Sequence, residues 1–217
     1  VSAGDRRVRS AALKTEVLAP GMTVGLYGGS FDPPHEGHAH VARTALKRLR
    51  LDRVWWLVTP GNPFKARPPA PLHQRVRAVT AMAPQPRHVA SDLEARRSLT
   101  RTIEVIRHLQ TRHRQVRFVW IMGADGLAEL HRWRAWREIV ARVPVCVVAR
   151  PGAGLKARLS PAARMMATAR MRQSEARALP FKTPGWTYLT EPLHPQASRL
   201  IRECPRAIPG SSRRPPP

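Results

Sequence analysis

The sequence has 217 residues, of which 42% are hydrophobic, and it carries a formal net charge of +24. This length and composition are sufficient for one α/β domain with a sizeable core. No apolar run approaches the length of a membrane span. The N-terminal arginines are not followed by the apolar stretch that a signal peptide would require. The two cysteines provide neither a disulfide framework nor a zinc-binding pattern. We therefore expect a cytoplasmic protein.

The excess positive charge comes mostly from arginine and is spread along the whole chain. A charge of this size can attract nucleic acid, an anionic membrane surface or small phosphorylated substrates. Arginines on solvated faces account for much of it without a dedicated partner. The sequence has no basic stripe interleaved with aromatic residues and no recognised nucleic-acid module, so nucleic-acid binding is the weaker alternative.

One stretch near the N-terminus, residues 25–38, combines features that suit a bound phosphate. It reads G-L-Y-G-G-S-F-D-P-P-H-E-G-H. A short apolar strand over 23–27 leads directly into Gly28 and Gly29. We expect these glycines to adopt positive φ angles and to let the backbone approach a ligand closely.

A helix is predicted to begin near Glu36, immediately after this turn. Its unpaired N–H groups and its dipole favour an anion. His35 and His38 are three residues apart at that terminus, so both imidazoles can point at the same spot. The stretch therefore predicts a polyphosphate cradle. It is neither the dinucleotide fingerprint nor the Walker A pattern.

Further along the chain, predicted strands and helices alternate. The strands cover 53–58, 87–90, 116–122 and 143–148, and the helices cover 36–49, 72–82, 100–112, 126–130 and 133–140. The helix over 72–82 carries Arg75 and Arg77 on a basic face. This alternation is typical of a single α/β domain with a doubly wound, mostly parallel, Rossmann-like sheet. Ligands of such sheets lie beyond the C-terminal ends of the strands, where residues 28–38, 60–65, 123–125 and Arg150 are placed.

The C-terminal third is less regular. A helix is predicted over 159–177, a last strand over 186–189 and a last helix over 198–203. We divide the chain into an N-terminal extension over 1–22, expected to be mobile, the domain over 23–203, and a Pro/Arg-rich tail over 204–217 that is expected to be disordered.

The motif G-G-S-F-D-P-P-H-x-G-H resembles that of the HxGH nucleotidyltransferase superfamily. Five later segments are similar, in order and spacing, to the bacterial nicotinate-nucleotide adenylyltransferases: V-W-W-L-V-T-P-G-N-P-F-K, S-D-L-E-A-R, V-R-F-V-W-I-M-G-A-D, L-H-R-W-R-A-W-R-E-I and V-A-R-P-G. The resemblance implies transfer of the adenylyl group of ATP to nicotinate mononucleotide, giving deamido-NAD and pyrophosphate in NAD biosynthesis.

The resemblance also implies site residues. His38 would contact the α/β-phosphate oxygens, His35 would support the triphosphate, and Lys65 would act as a point-charge clamp. The other implied ATP contacts are Gly28, Gly29, Ser30, Phe31, Gly123, Asp125 and Arg202. The implied nicotinate mononucleotide contacts are Thr102, Trp133 and Arg150. Mg²⁺ would arrive with ATP, held by phosphates and water, and no metal-binding residues are predicted.

Two regions depart from the family pattern. Arg101 and Val105 stand where the family has a tyrosine and a second threonine near the nicotinate carboxylate. The late S-x-T-x-I-R motif aligns with residues 197–202, where Arg202 is retained but the serine and threonine are not. The alternatives are therefore another acceptor, nicotinamide mononucleotide or phosphopantetheine, or a basic nucleic-acid-binding protein on a degenerate nucleotidyltransferase fold.

Overall fold

The computed structural model describes residues 17–61, 68–83, 86–149 and 154–190. The predictions for Lys65, Arg150 and Arg202, for a helix over 198–203, for a disordered tail and for residues 1–16 of a mobile N-terminal extension lie outside these residues. Within them the chain forms one seven-stranded sheet with the order β3-β2-β1-β4-β5-β7-β6. The strands are β1 Thr23–Gly29, β2 Arg53–Val58, β3 His88–Ser91, β4 Arg117–Gly123, β5 Val145–Val148, β6 Arg170–Met171 and β7 Trp186–Leu189.

Helices flank both faces of this sheet. They are α1 Glu36–Arg48, α2 Leu72–Met82, α3 Leu93–Arg96, α4 Thr102–Arg112, α5 Ala124–Glu129, α6 Trp136–Arg142, α7 Gly154–Arg158 and α8 Pro161–Met165, with 3₁₀ helices at Leu130–Arg132, Ala167–Ala169 and Gln173–Phe181. Every strand pairing is parallel. The predicted doubly wound, parallel α/β fold is confirmed.

The core consists of two apolar layers, one on each face of the sheet. Alternate residues of β2 show the division, because Trp55 and Leu57 pack with the layer under α4 to α8, whereas Trp56 and Val58 pack with the layer under α1 and α2. Strands that are covered on both faces need apolar residues at consecutive positions. This explains the unbroken apolar runs by which the strands were predicted.

The chain reverses direction across the sheet between β1 and β4. From the central β1 it proceeds outward to β2 and β3, and it then returns to the other side of β1 for β4, β5 and β7. In parallel sheets, ligands bind in the crevice beyond the strand ends where the order reverses. The fold therefore predicts a ligand-binding site beyond the C-terminal ends of β1 and β4.

The helix predicted over 159–177 is wrong. Ser160 caps α8, accepting a hydrogen bond from the N–H of Ala163 at 3.2 Å, and Pro161 occupies the first helical position, so a new helix begins inside the predicted one. Beyond α8, buried side chains bond to carbonyls that a helix would need. Trp186 donates to the Met166 carbonyl at 2.7 Å and Thr187 donates to the Met171 carbonyl at 3.2 Å.

Candidate active site

The two glycines of the motif form the last residues of β1, and the expectation of positive φ angles there is wrong. The left-handed residue of the turn is Phe31, with φ 45° and its ring buried. The glycines are needed for space. A Cβ at Gly28 would lie 2.8 Å from Trp120 Cη2, and one at Gly29 would lie 3.0 Å from Phe31 Cζ. Two packed rings therefore occupy the room that side chains at these positions would require.

The histidines lie together at the N-terminus of α1. His35 is the N-cap residue, and its backbone N–H donates to Nδ1 of His38 at 3.3 Å. The ring centroids are 3.8 Å apart, with 34° between the planes. Because Nδ1 of His38 accepts a hydrogen bond, the neutral ring carries its proton on Nε2 and can donate from there. His35 is buried, whereas His38 is partly exposed.

An aromatic cluster supports the His38 ring. Phe31 packs edge-on against it at 5.1 Å, and the rings of Tyr27, Phe31 and Trp56 lie 5.2 to 5.3 Å from one another. Trp56 in turn donates to Nδ1 of His88 at 3.1 Å. Burial, and then the charge of nearby arginines, lowers the pKa of His88 to about 4, which keeps it neutral and able to accept this bond. The cluster joins His38 to β2 and β3.

The end of β4 forms the second side of the crevice. Gly123 is both the last residue of β4 and the N-cap of α5, and Asp125 lies exposed in the first turn of that helix. Trp133, partly buried, packs edge-on against Trp120 at 6.0 Å. Trp120 also fills the space beside Gly28, so it links the glycine motif to Trp133.

Trp120 is a site-forming residue that the sequence analysis did not single out. It pairs with Leu26 across β1 and β4, which makes Gly28, two residues further along, its diagonal neighbour on the same face. A glycine in a buried strand beside a large aromatic residue on the neighbouring strand is a signal that a register prediction could have used.

The threonine predicted to contact nicotinate begins α4, after the connection from β3. Glu104 caps this helix, and its Oε2 accepts from the backbone N–H groups of Thr100 at 2.9 Å and Arg101 at 3.1 Å. Thr102 is partly exposed, whereas Val105 is fully buried in the core. Of the two positions where the family pattern has threonine, this chain thus presents one polar side chain.

The position of Arg75 differs from the one expected from the sequence. It was placed on a basic face of α2 with Arg77, but only Arg77 is exposed, and Arg75 is buried. Its guanidinium donates to the carbonyls of Ser30 and Thr59, which adjoin the candidate site. The sequence held no signal that separates these two arginines.

Three further observations concern a separate cavity, possible metal ligands and possible membrane spans. A cavity of about 300 Å³ lies among Leu18, Trp55, His108 and Arg112, and none of the predicted site residues lines it. Within the described residues, no group of three or more His, Cys, Asp or Glu side chains could hold a metal ion. In the same part of the chain, no helix is long and apolar enough to cross a membrane.

Comparison with known proteins shows the family to which the chain belongs. The cytidylyltransferase-like family model matches residues 26–200. The chain belongs to this family. Within it, the chain is 52% identical to a probable nicotinate-nucleotide adenylyltransferase of Cereibacter sphaeroides over 185 residues, covering 85% of this chain and 99% of the relative. It is 51% identical to one of Ruegeria pomeroyi, covering 84% and 86%. The resemblance to nicotinate-nucleotide adenylyltransferases is confirmed.

The fold of this chain is also similar to that of a solved structure. The nicotinic acid mononucleotide adenylyltransferase of Plasmodium falciparum, complexed with NaAD, superimposes with a TM-score of 0.64, covering 84% of this chain and 83% of that one. At 16% sequence identity this similarity concerns the fold alone. It agrees with the parallel α/β sheet described above.

Proposed function

We propose that this protein transfers the adenylyl group of ATP to nicotinate mononucleotide, releasing pyrophosphate and forming deamido-NAD, in NAD biosynthesis. The observation that carries the proposal is the His35–His38 pair at the switch point of the sheet, in a chain half identical to proteins named for this reaction. The cytoplasmic location expected from the sequence stays a prediction.

The reaction requires positioning and charge stabilisation more than covalent chemistry by the protein. A phosphate oxygen of nicotinate mononucleotide attacks the α-phosphorus of ATP, and the bond to the pyrophosphate oxygen breaks. No protein nucleophile takes part. Charge develops on the phosphate oxygens in the transition state, and fixed donors aimed at them lower the barrier. The Nε2–H of His38 is such a donor, since its Nδ1 is occupied by the backbone of His35.

The other assignments are proposed roles on the two sides of the crevice. On the ATP side we assign Gly28, Gly29, Ser30 and Phe31 to the phosphates and Gly123 and Asp125 to the adenosine, with Lys65 and Arg202 as further phosphate contacts. On the acceptor side we assign Thr102, Trp133 and Arg150. Mg²⁺ accompanies ATP and balances the charge of its phosphates, which suits a donor set of imidazoles and single carboxylates without a dedicated cage.

An acceptor assay tests the reaction. Wild-type protein is incubated with ATP, Mg²⁺ and, in turn, nicotinate mononucleotide, nicotinamide mononucleotide and phosphopantetheine, and pyrophosphate release is measured. We expect the highest kcat/KM with nicotinate mononucleotide. Faster turnover of another acceptor would overturn the assignment of substrate, and turnover of none, with salt-dependent RNA binding in its place, would favour the nucleic-acid alternative.

The role of His38 is tested by His38→Ala, with His73→Ala as the matched control. His73 is exposed on α2, so the control removes an imidazole outside the proposed site. We expect His38→Ala to lose at least ~10²-fold in kcat, a typical scale for one transition-state donor. Equal turnover in the two variants would remove His38 from the mechanism.

A further inference from the structure

Arg75 is a buried cation in α2 whose hydrogen bonds go to backbone carbonyls. It is 3% exposed. Its Nε donates to Ala70 at 2.7 Å, Nη1 donates to Ser30 at 2.7 Å and to Thr59 at 2.8 Å, and Nη2 donates to Pro60 at 3.1 Å. One planar group thus makes four bonds in directions that only a guanidinium can supply at once.

The four carbonyls belong to two segments beyond the strand ends. Ser30 follows the glycine pair of β1 and leads toward the histidine pair. Thr59 and Pro60 begin the connection from β2 to α2, and Ala70 lies near its end, so Arg75 is bonded to both ends of that connection. A single side chain therefore fixes the glycine motif relative to the two ends of this connection.

A cation is an unfavourable choice if this position serves stability alone. Burial lowers the pKa of Arg75 and the charge of Asp32 opposes that shift, which means that the guanidinium is only partly compensated by a neighbouring carboxylate. A well-packed apolar side chain often stabilises a buried site as well as or better than a charged one. What an apolar residue cannot do is hold four carbonyls of separate segments at fixed distances.

We infer that Arg75 is a positioning residue for adenylyl transfer. It acts through the carbonyls of Ser30, Thr59 and Pro60, by which it sets the spacing between the segment that leads to the histidine pair and the start of the connection from β2 to α2. The inference rests on the proposed function for its chemistry. Its geometry is independent of the identity of the acceptor.

The test compares three substitutions on one helix. Arg75→Lys keeps a positive charge but loses the planar fork, and Arg77→Lys makes the same change on the exposed face. Val79→Ala removes buried apolar volume but leaves the four hydrogen bonds of Arg75 in place. We expect Arg75→Lys to lower kcat by ~10²-fold, the scale for a misplacement of about 1 Å. We expect Arg77→Lys to match wild type, and Val79→Ala to lose melting temperature with kcat retained while folded.

Chemical rescue separates positioning from general stability. Guanidinium ion added to Arg75→Ala can occupy the vacated space and donate to the same carbonyls, so we expect kcat to recover over a concentration range that leaves Val79→Ala unchanged, against matched sodium chloride. Wild-type kcat in Arg75→Lys would overturn the inference. The inference would also be overturned if the Arg75 variants and Val79→Ala lost kcat in the same proportion to their loss of melting temperature.

Failure of the proposed function would be recognised separately. If wild-type protein turns over none of the acceptors, the substrate assignment fails. The positioning role is then measured by the Kd of a non-hydrolysable ATP analogue and by the rate of amide hydrogen exchange in the peptides that contain Ser30 and Thr59. We expect Arg75→Lys to weaken that binding ~10-fold or more and to accelerate that exchange, with Arg77→Lys unchanged. Unaltered values of both quantities would reject the positioning role.

Discussion

Gly28→Ala tests whether the glycine motif exists to accommodate the Trp120 ring. The added Cβ would lie 2.8 Å from Cη2 and 3.0 Å from Cζ2 of Trp120, well inside the optimal separation of about 3.5 Å between carbon atoms. The ring has little room to retreat, because Trp120 is 2% exposed and packs edge-on against Trp133 at 6.0 Å. Overpacking of this kind costs about 1–3 kcal/mol.

The backbone offsets part of this cost. Alanine in a strand is favoured over glycine by roughly 0.5–1 kcal/mol, so we expect a net loss on the order of 1 kcal/mol in the free energy of unfolding. Urea unfolding followed by tryptophan fluorescence measures it. Gly61→Ala is the matched control, since a Cβ there meets nothing within 4 Å.

The same substitution predicts a selective kinetic change. A displaced Trp120 ring would move Trp133, which we assign to the acceptor, so we expect the KM for nicotinate mononucleotide to rise more than the KM for ATP. If Gly28→Ala were as stable as Gly61→Ala, the steric explanation of the motif would be refuted. Equal rises of both KM values would refute the link through Trp120.

Three other predictions concern buried titratable groups. Burial raises the pKa of Glu94 from 4.5 to about 7. The folded protein therefore loses stability as pH rises from about 4.5 to 7, because the unfolded chain ionises this carboxyl first. Glu94→Gln should be up to about 3 kcal/mol more stable than wild type at pH 8. The depressed pKa of His88 gives the opposite pH dependence: stability is lost as pH falls from 6.5 toward 4, and His88→Asn should remove that loss. Urea unfolding from pH 4 to 8 measures the effects of Glu94→Gln and His88→Asn. A pH dependence of stability in either variant that is identical to that of the wild type would refute the prediction for that residue. Burial raises the pKa of Cys146 to about 12, so iodoacetamide should label the peptide of Cys146 at pH 8 only after unfolding, and native labelling by mass spectrometry would contradict this.

Much of the fold could be predicted because parallel strands buried on both faces must be continuously apolar. The bounds of β2 and β7 are those predicted, and β1 and β4 differ by one or two residues. The strand β6 has two residues and no pattern of its own, and it exists because β7 offers an edge beside it. Such an element depends on tertiary pairing, which no local periodicity can reveal.

For the candidate site, the sequence predicted which residues matter better than it predicted why they matter. The sequence located the glycines and the histidine pair, but the physical reason given for the glycines was a backbone angle, whereas the structure requires space for a ring. It also gave Arg75 and Arg77 the same interpretation. Burial of a cation depends on which carbonyls converge at that point from loops distant in sequence, and a helical pattern of charges contains no information about that convergence.

If Thr102 contacts the acceptor as proposed, acceptor choice depends on the donors that α4 can offer. Selecting an acid over an amide requires donors directed at the carboxylate, and a hydrogen bond to a charged group contributes about 1.5–3 kcal/mol. In this chain Val105 is buried in the core, and Glu104 already accepts from the backbone N–H groups of Thr100 and Arg101. In the proposed assignment, the hydroxyl of Thr102 is the side-chain donor that α4 would direct at the carboxylate. Discrimination between the two mononucleotides should accordingly be smaller than in a relative with both threonines, by about ten-fold or more, and the ratio of kcat/KM for the two acceptors measures it.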